Sequence, residues 1–121
     1  MSSNPVTRAS DVETEAFPWG GIKWVAGNKI HPYAEQTLGL VFINPGEQNP
    51  VHYHPNCEEL LYVISGECDH RFGDESFHME AGDTIRIPIG VMHNASNNGW
   101  EPVRMLVSFS NGDRQTVMVD E

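Results

Sequence analysis

Leu60-Leu61-Tyr62-Val63-Ile64, then Glu67-Cys68-Asp69-His70-Arg71-Phe72, Gly73-Asp74-Glu75, Ser76-Phe77-His78-Met79-Glu80 and finally Thr84-Ile85-Arg86-Ile87-Pro88 form the stretch that decides the fold class. The first and last runs are short and rich in β-branched and aliphatic residues, as strands are, and the middle reads as a hairpin with a short Gly-Asp turn at Gly73-Asp74. Leu38–Ile43 and Val103–Phe109 have the same character. Glycine and proline recur throughout, at Pro18-Trp19-Gly20-Gly21, Pro45-Gly46, Pro55-Asn56, Gly82-Asp83, Pro88, Gly90 and Gly112-Asp113. They leave runs of about five to eight residues between turn signals, and no window sustains a helical period. The expected class is all-β, a sandwich or barrel.

At 121 residues and 13.5 kDa the chain has material for one core, which excludes separate cofactor and substrate domains. Residues 1–15 are expected to be loosely held and residues 16–121 to form the barrel domain. Seven Lys and Arg against seventeen Asp and Glu give a formal charge of −10, which repels phosphate backbones and anionic lipid surfaces. Neither nucleic acid nor a membrane is expected as a partner. Met1–Val12 resembles neither a secretory signal nor a lipidation motif, so a cytoplasmic location is expected. Cys57 and Cys68 are read as reduced thiols, small residues of strands, with Cys57 close enough to the histidines to matter there.

The chemistry lies in the histidines. His52-Tyr53-His54 places two imidazoles on one face of a strand, because successive strand residues point to opposite sides. Glu59 follows just beyond the bend at Pro55-Asn56, and His93 comes after a proline-glycine turn. Three imidazoles and a carboxylate suit one divalent transition metal ion, Mn, Fe, Ni, Zn or Co, without choosing among them.

These residues bring the chain to a known family. Gly46-x5-His52-x-His54-x4-Glu59-x6-Gly66 resembles the first cupin motif and Gly82-x5-Pro88-x-Gly90-x2-His93-x3-Asn97 the second, with the fifteen residues Glu67–Ala81 between them. The resemblance implies a single-domain jelly-roll β-barrel and assigns His52, His54, Glu59 and His93 as metal ligands. Glu58 fits less well, since it would put seven residues before Gly66 and should face away from Glu59. Asn97 is read as a hydrogen-bonding group that holds a turn or strand end. Gly46, Gly66 and Gly82 are read as strand junctions where φ is positive or backbones approach closely.

Three functions stay open at this point. The first is Lewis-acid isomerase, epimerase or lyase-type chemistry on a small polar oxygenated substrate: a sugar, sugar acid, or hydroxy or keto acid. The second is a non-haem metal dioxygenase, and the third a binding protein for a sugar or acid that does not turn it over. Arg114 is a weak catalytic candidate for pairing with a substrate carboxylate, and so is Arg86 if its side of the strand faces inward. His31, His70 and His78 are expected on the surface or barrel wall, with a pocket role as the alternative, and Tyr53 and Tyr62 as packing residues. A homodimer is expected, from open sheet edges and from Trp19, Trp24 and Trp100, which are more aromatic surface than so short a chain need bury alone.

Overall fold

The computed structural model describes residues 4–119; residues 1–3 and 120–121, at the ends of the two expected segments, lie outside the described part. The strands are β1 (Glu15–Phe17), β2 (Gly20–Ala26), β3 (Thr37–Ile43), β4 (His52–Tyr53), β5 (Glu59–Ser65), β6 (Glu67–Phe72), β7 (Glu75–Glu80), β8 (Thr84–Ile87), β9 (His93–Ser96), β10 (Val103–Phe109) and β11 (Val117–Met118). They form two antiparallel sheets, one in the order β1-β2-β3-β10-β5-β8 and the other β11-β4-β9-β6-β7. The chain crosses between the sheets repeatedly, as in a jelly-roll barrel. The all-β reading is met.

Alternation decides which side chains meet inside. Along β10, Val103, Met105, Val107 and Phe109 are buried while Arg104 is exposed, and along β5 Glu59, Leu61 and Val63 are buried while Leu60, Tyr62 and Ile64 point outward. Ile43, Val63, Val103, Cys57 and Cys68 are among the side chains closed off completely, and both cysteines are free thiols. Burial pushes the Cys68 thiol up to about 11 and raises that of Cys57, so both are poor nucleophiles.

The expected hairpin turns on Gly73-Asp74, with Glu75 already paired to Phe72, since Gly73 at φ 62° supplies the left-handed backbone a two-residue turn needs. One local detail differs from the sequence expectation. Gly20-Gly21 is not a turn but the start of β2. A Cβ on Gly20 would lie 2.0 Å from the Phe42 carbonyl oxygen, so these glycines serve close strand approach. Gly66 does sit at a junction with φ 81°, and a Cβ there would lie 2.7 Å from the Pro102 carbonyl oxygen.

The outer face of the larger sheet carries an apolar stripe. Leu60, Tyr62 and Ile64 are 45%, 43% and 46% exposed, and the register sets Leu106 beside Tyr62 and Leu40. Tyr62 therefore stands in the open rather than packing in the core. Before β1, a single 3-10 turn at Ala9–Asp11 is tied to the sheet by Lys23 Nζ, which donates to the Ala9 carbonyl at 2.6 Å. No helix among the described residues is long and apolar enough to cross a membrane.

Candidate metal centre

His52, His54, Glu59 and His93 come together between the sheets, each offering one donor atom, and these atoms all lie within 4.8 Å of one another. The smaller sheet supplies the imidazoles. β4 pairs with β9 so that His52 stands opposite His93, and His54 follows two residues on. The chain bends at Pro55-Asn56, passes buried Cys57 and enters β5 in the larger sheet with Glu59 inward. Glu58 turns outward to Arg86, whose Nε donates to its carboxylate at 2.8 Å. Arg86 is thus an outer-face residue in an ion pair, and the inward orientation its candidacy required does not occur.

Each imidazole is pinned at Nδ1 by a backbone carbonyl: His52 by Pro50 at 2.7 Å, His54 by Gln115 at 2.9 Å and His93 by Val91 at 3.0 Å. A carbonyl oxygen only accepts, so Nδ1 carries the proton and Nε2 of the neutral ring keeps a lone pair. This is how outer groups prepare histidines for metal. The Nε2 atoms of His93 and His54 lie 2.9 and 3.2 Å from Glu59 Oε1. His54 Nε2 is fully buried without a hydrogen-bond partner. Acceptors facing acceptors at such distances are what a cation resolves, so the residues fit a divalent ion. Burial pushes the His52 imidazole down to about 4, with His93 beside it adding to the effect. Burial alone would raise the Glu59 carboxyl, but when protons rather than an ion fill the gap, His54 and His93 become donors to it, and their hydrogen bonds and charge hold the group well below the usual range.

The second motif does structural work. Gly90 N–H donates to the His54 carbonyl at 2.9 Å, locking the turn that returns the chain to His93. Asn97, fully buried, donates to the carbonyls of Ile43 and Glu101 at 2.9 and 2.8 Å and accepts from Gly99 N–H at 2.9 Å, the turn-holding role expected of it.

A cavity of about 340 Å³ opens beside the four residues. Its walls are largely apolar and come from the larger sheet, Phe17, Trp19, Ile22 and Trp24 from β1, β2 and the turn between them, and Met105, Val107 and Phe109 from β10. Trp19 and Trp24 are therefore cavity walls rather than the dimer surface expected of them, whereas Trp100 is 87% exposed. Arg114 reaches the cavity from the C-terminal segment, its guanidinium 4.2 Å over the Trp24 ring and 5.4 Å from that of Phe109. Asn56 anchors this segment by donating to the Asp113 carbonyl at 2.7 Å and accepting from Gln115 N–H at 3.0 Å. Arg114 donates to Thr116 Oγ1, and it pairs with no carboxylate among the described residues.

His70 takes the pocket place, the alternative to the surface or barrel wall. It is 1% exposed, lines the cavity and stacks on His93, and burial pushes it down to about 4. The signal was its parity, since Cys68, His70 and Phe72 share one face of β6 and two of them are apolar. His78 is solvent-exposed, with Asp69 holding its imidazole above the usual range, and His31 is not among the cavity residues.

Comparison with known proteins agrees with this geometry. The chain is 37% identical over 73 residues to "Polyketide synthase CurC" of Streptomyces cyaneus, covering 60% of this chain and 47% of the relative. It is 31% identical over 116 residues to "Germin-like protein subfamily 3 member 2" of Arabidopsis thaliana, covering 78% and 51%. The chain thus spans about half the length of these relatives. Among solved structures, the oxalate decarboxylase of Lactobacillus farciminis in its formate complex superposes with a TM-score of 0.84 at 28% identity, over 91% of this chain and 34% of that one. The model for the cupin domain matches residues 39–109, more than half of the sequence and the whole span of the four clustered side chains, and the chain belongs to the cupin family.

Proposed function

We propose that His52, His54, Glu59 and His93 hold one divalent first-row ion and that the protein acts on a small oxygenated acid by isomerase, epimerase or lyase-type chemistry. The ion would supply Lewis acidity toward a carbonyl or carboxylate oxygen. The observation that carries this reading is the convergence of Nε2 lone pairs on the Glu59 carboxylate, with every Nδ1–H already spent on a backbone carbonyl. Arg114 holds the substrate carboxylate. Its planar donors face the cavity without an acidic partner, and its stacking on Trp24 fixes their direction. The apolar walls favour a hydroxy or keto acid with an apolar body over a polyhydroxylated sugar, whose many hydroxyls would lack partners there. Similarity to an oxalate decarboxylase solved with formate supports a small carboxylate as ligand.

The test is to incubate metal-loaded protein with a panel of 2-hydroxy and 2-keto acids, following substrate by nuclear magnetic resonance and dissolved oxygen by electrode. Chelator-sensitive conversion without oxygen uptake is expected. Oxygen uptake coupled to conversion would move the protein to the dioxygenases, and protection of the fold by an acid that is never converted would make it a binding protein.

A second copy of the chain covers the outer face of β3, β10 and β5. Lys23 and Arg104 project on this face, and Arg86 beside them is balanced by Glu58. Two chains of formal charge −10 would therefore meet where the paired strands carry more basic than acidic side chains, with the apolar stripe of Leu40, Leu106 and Tyr62 pairing with itself about a two-fold axis.

A further inference from the structure

His70 repeats, at a fourth imidazole, the arrangement of the three in the centre. Its Nδ1 donates to the Arg71 carbonyl at 2.9 Å, so Nε2 of the neutral ring carries a lone pair. No group among the described residues hydrogen-bonds that nitrogen. The nitrogen is not sealed in either, because His54 Nε2 is the one fully buried side-chain nitrogen or oxygen among the described residues without a hydrogen-bond partner. In a ring that lines the cavity, the space left to Nε2 is the cavity itself.

The geometry separates His70 from the centre. Its ring stacks on that of His93 at an interplanar angle of 13°, with centroids 5.7 Å apart. An imidazole lone pair lies in the ring plane, so two rings stacked in separate parallel planes cannot both aim at one ion. Simple packing does not call for an imidazole here, since an apolar side chain would fill the same space without placing an acceptor on the cavity wall. Arg114 can only donate, and the carboxylate of Glu59 and the three other imidazoles are turned on one another.

We propose that His70 Nε2 accepts a hydrogen bond from a hydroxyl of the ligand, so that the substrate is a hydroxy acid or enol whose O–H stands beside the oxygens that meet the centre. This rests on the metal-centre reading above. His70 then sets specificity: a ligand of the same shape without the O–H leaves the imidazole unpaired.

The experiment is calorimetric titration of the cobalt-loaded full chain with glycolate and with methoxyacetate, which keeps the carboxylate and turns the hydroxyl oxygen into an ether oxygen with no proton to donate. The unaltered protein is expected to bind glycolate about tenfold or more tighter, the scale of one hydrogen bond. His70→Phe should erase that preference while retaining cobalt, and His70→Gln, whose amide oxygen can accept, should restore part of it. Equal affinities in the unaltered protein, or a preference that survives in His70→Phe, would overturn the proposal. So would cobalt loss in His70→Phe as complete as in His93→Ala, which would make His70 part of the centre. Failure of the centre reading shows separately, as cobalt retained by His52→Ala and His93→Ala, and takes this proposal with it.

Discussion

His54 Nε2 stands 3.2 Å from Glu59 Oε1, and both atoms present lone pairs, because the imidazole proton is committed to the Gln115 carbonyl. The two residues come from different sheets and are each 3% exposed, so water is poorly placed to relieve the contact. A cation between them would do so. The pair would then act as a joint between the sheets, since an ion held by both would link β5 to the strand ends of the smaller sheet.

In protein stripped of metal by a chelator, stability is expected to fall as pH drops from about 6.5 to about 4. His52 and His70 are held down to about 4 in the folded chain and return to the ordinary 6.5 when unfolded. Between these values the unfolded chain takes up protons that the folded one refuses, so acid favours unfolding; below about 4 both states are protonated and the two histidines contribute no further slope. Each contributes about 3 kcal/mol at most. Thermal unfolding followed across this range checks it, and a flat profile would contradict the burial of both rings.

Arg114→Lys keeps the charge but loses the planar fork and the stack on Trp24. Affinity for glycolate is expected to fall about tenfold, and about a hundredfold in Arg114→Ala, at unchanged metal content. Equal binding by all three proteins would remove Arg114 from the site.

Asn97→Ala leaves the Ile43 and Glu101 carbonyls and the Gly99 N–H without their partner. A loss of about 2–4 kcal/mol in denaturant unfolding is expected, since buried groups left unsatisfied carry their full desolvation cost. A variant that still folds should bind metal normally, as Asn97 lies outside the four-residue group.

Tyr62→Glu and Leu106→Glu place charges in the middle of the apolar outer face. Light scattering at micromolar concentration is expected to give a dimer for the unaltered chain and a monomer for the double variant. A monomeric unaltered chain would contradict the dimer.

The strands around the centre were legible because hydrophobic runs, glycine junctions and motif spacing agree there. Glu59 could be told from Glu58 by its spacing to Gly66 together with strand parity, and the structure sends the two to opposite faces. β2 was not legible, because Gly20 and Gly21 carry the local signature of a turn and their real constraint, the approach of Phe42, comes from a strand some twenty residues away in sequence. His70 was half legible: alternation along β6 turns it inward, but only the pairing of β6 with β9 sets it against His93. The apolar cavity walls could not be foreseen, since Trp19 and Trp24 belong to the far sheet and face the histidines only once the barrel closes.

The most direct test of the account is the metal content, by elemental analysis, of protein purified without a chelating tag and then re-equilibrated with one divalent ion. About one ion per chain is expected for the unaltered protein and almost none when His52→Ala is combined with His93→Ala. Undiminished metal in that double variant would contradict the centre.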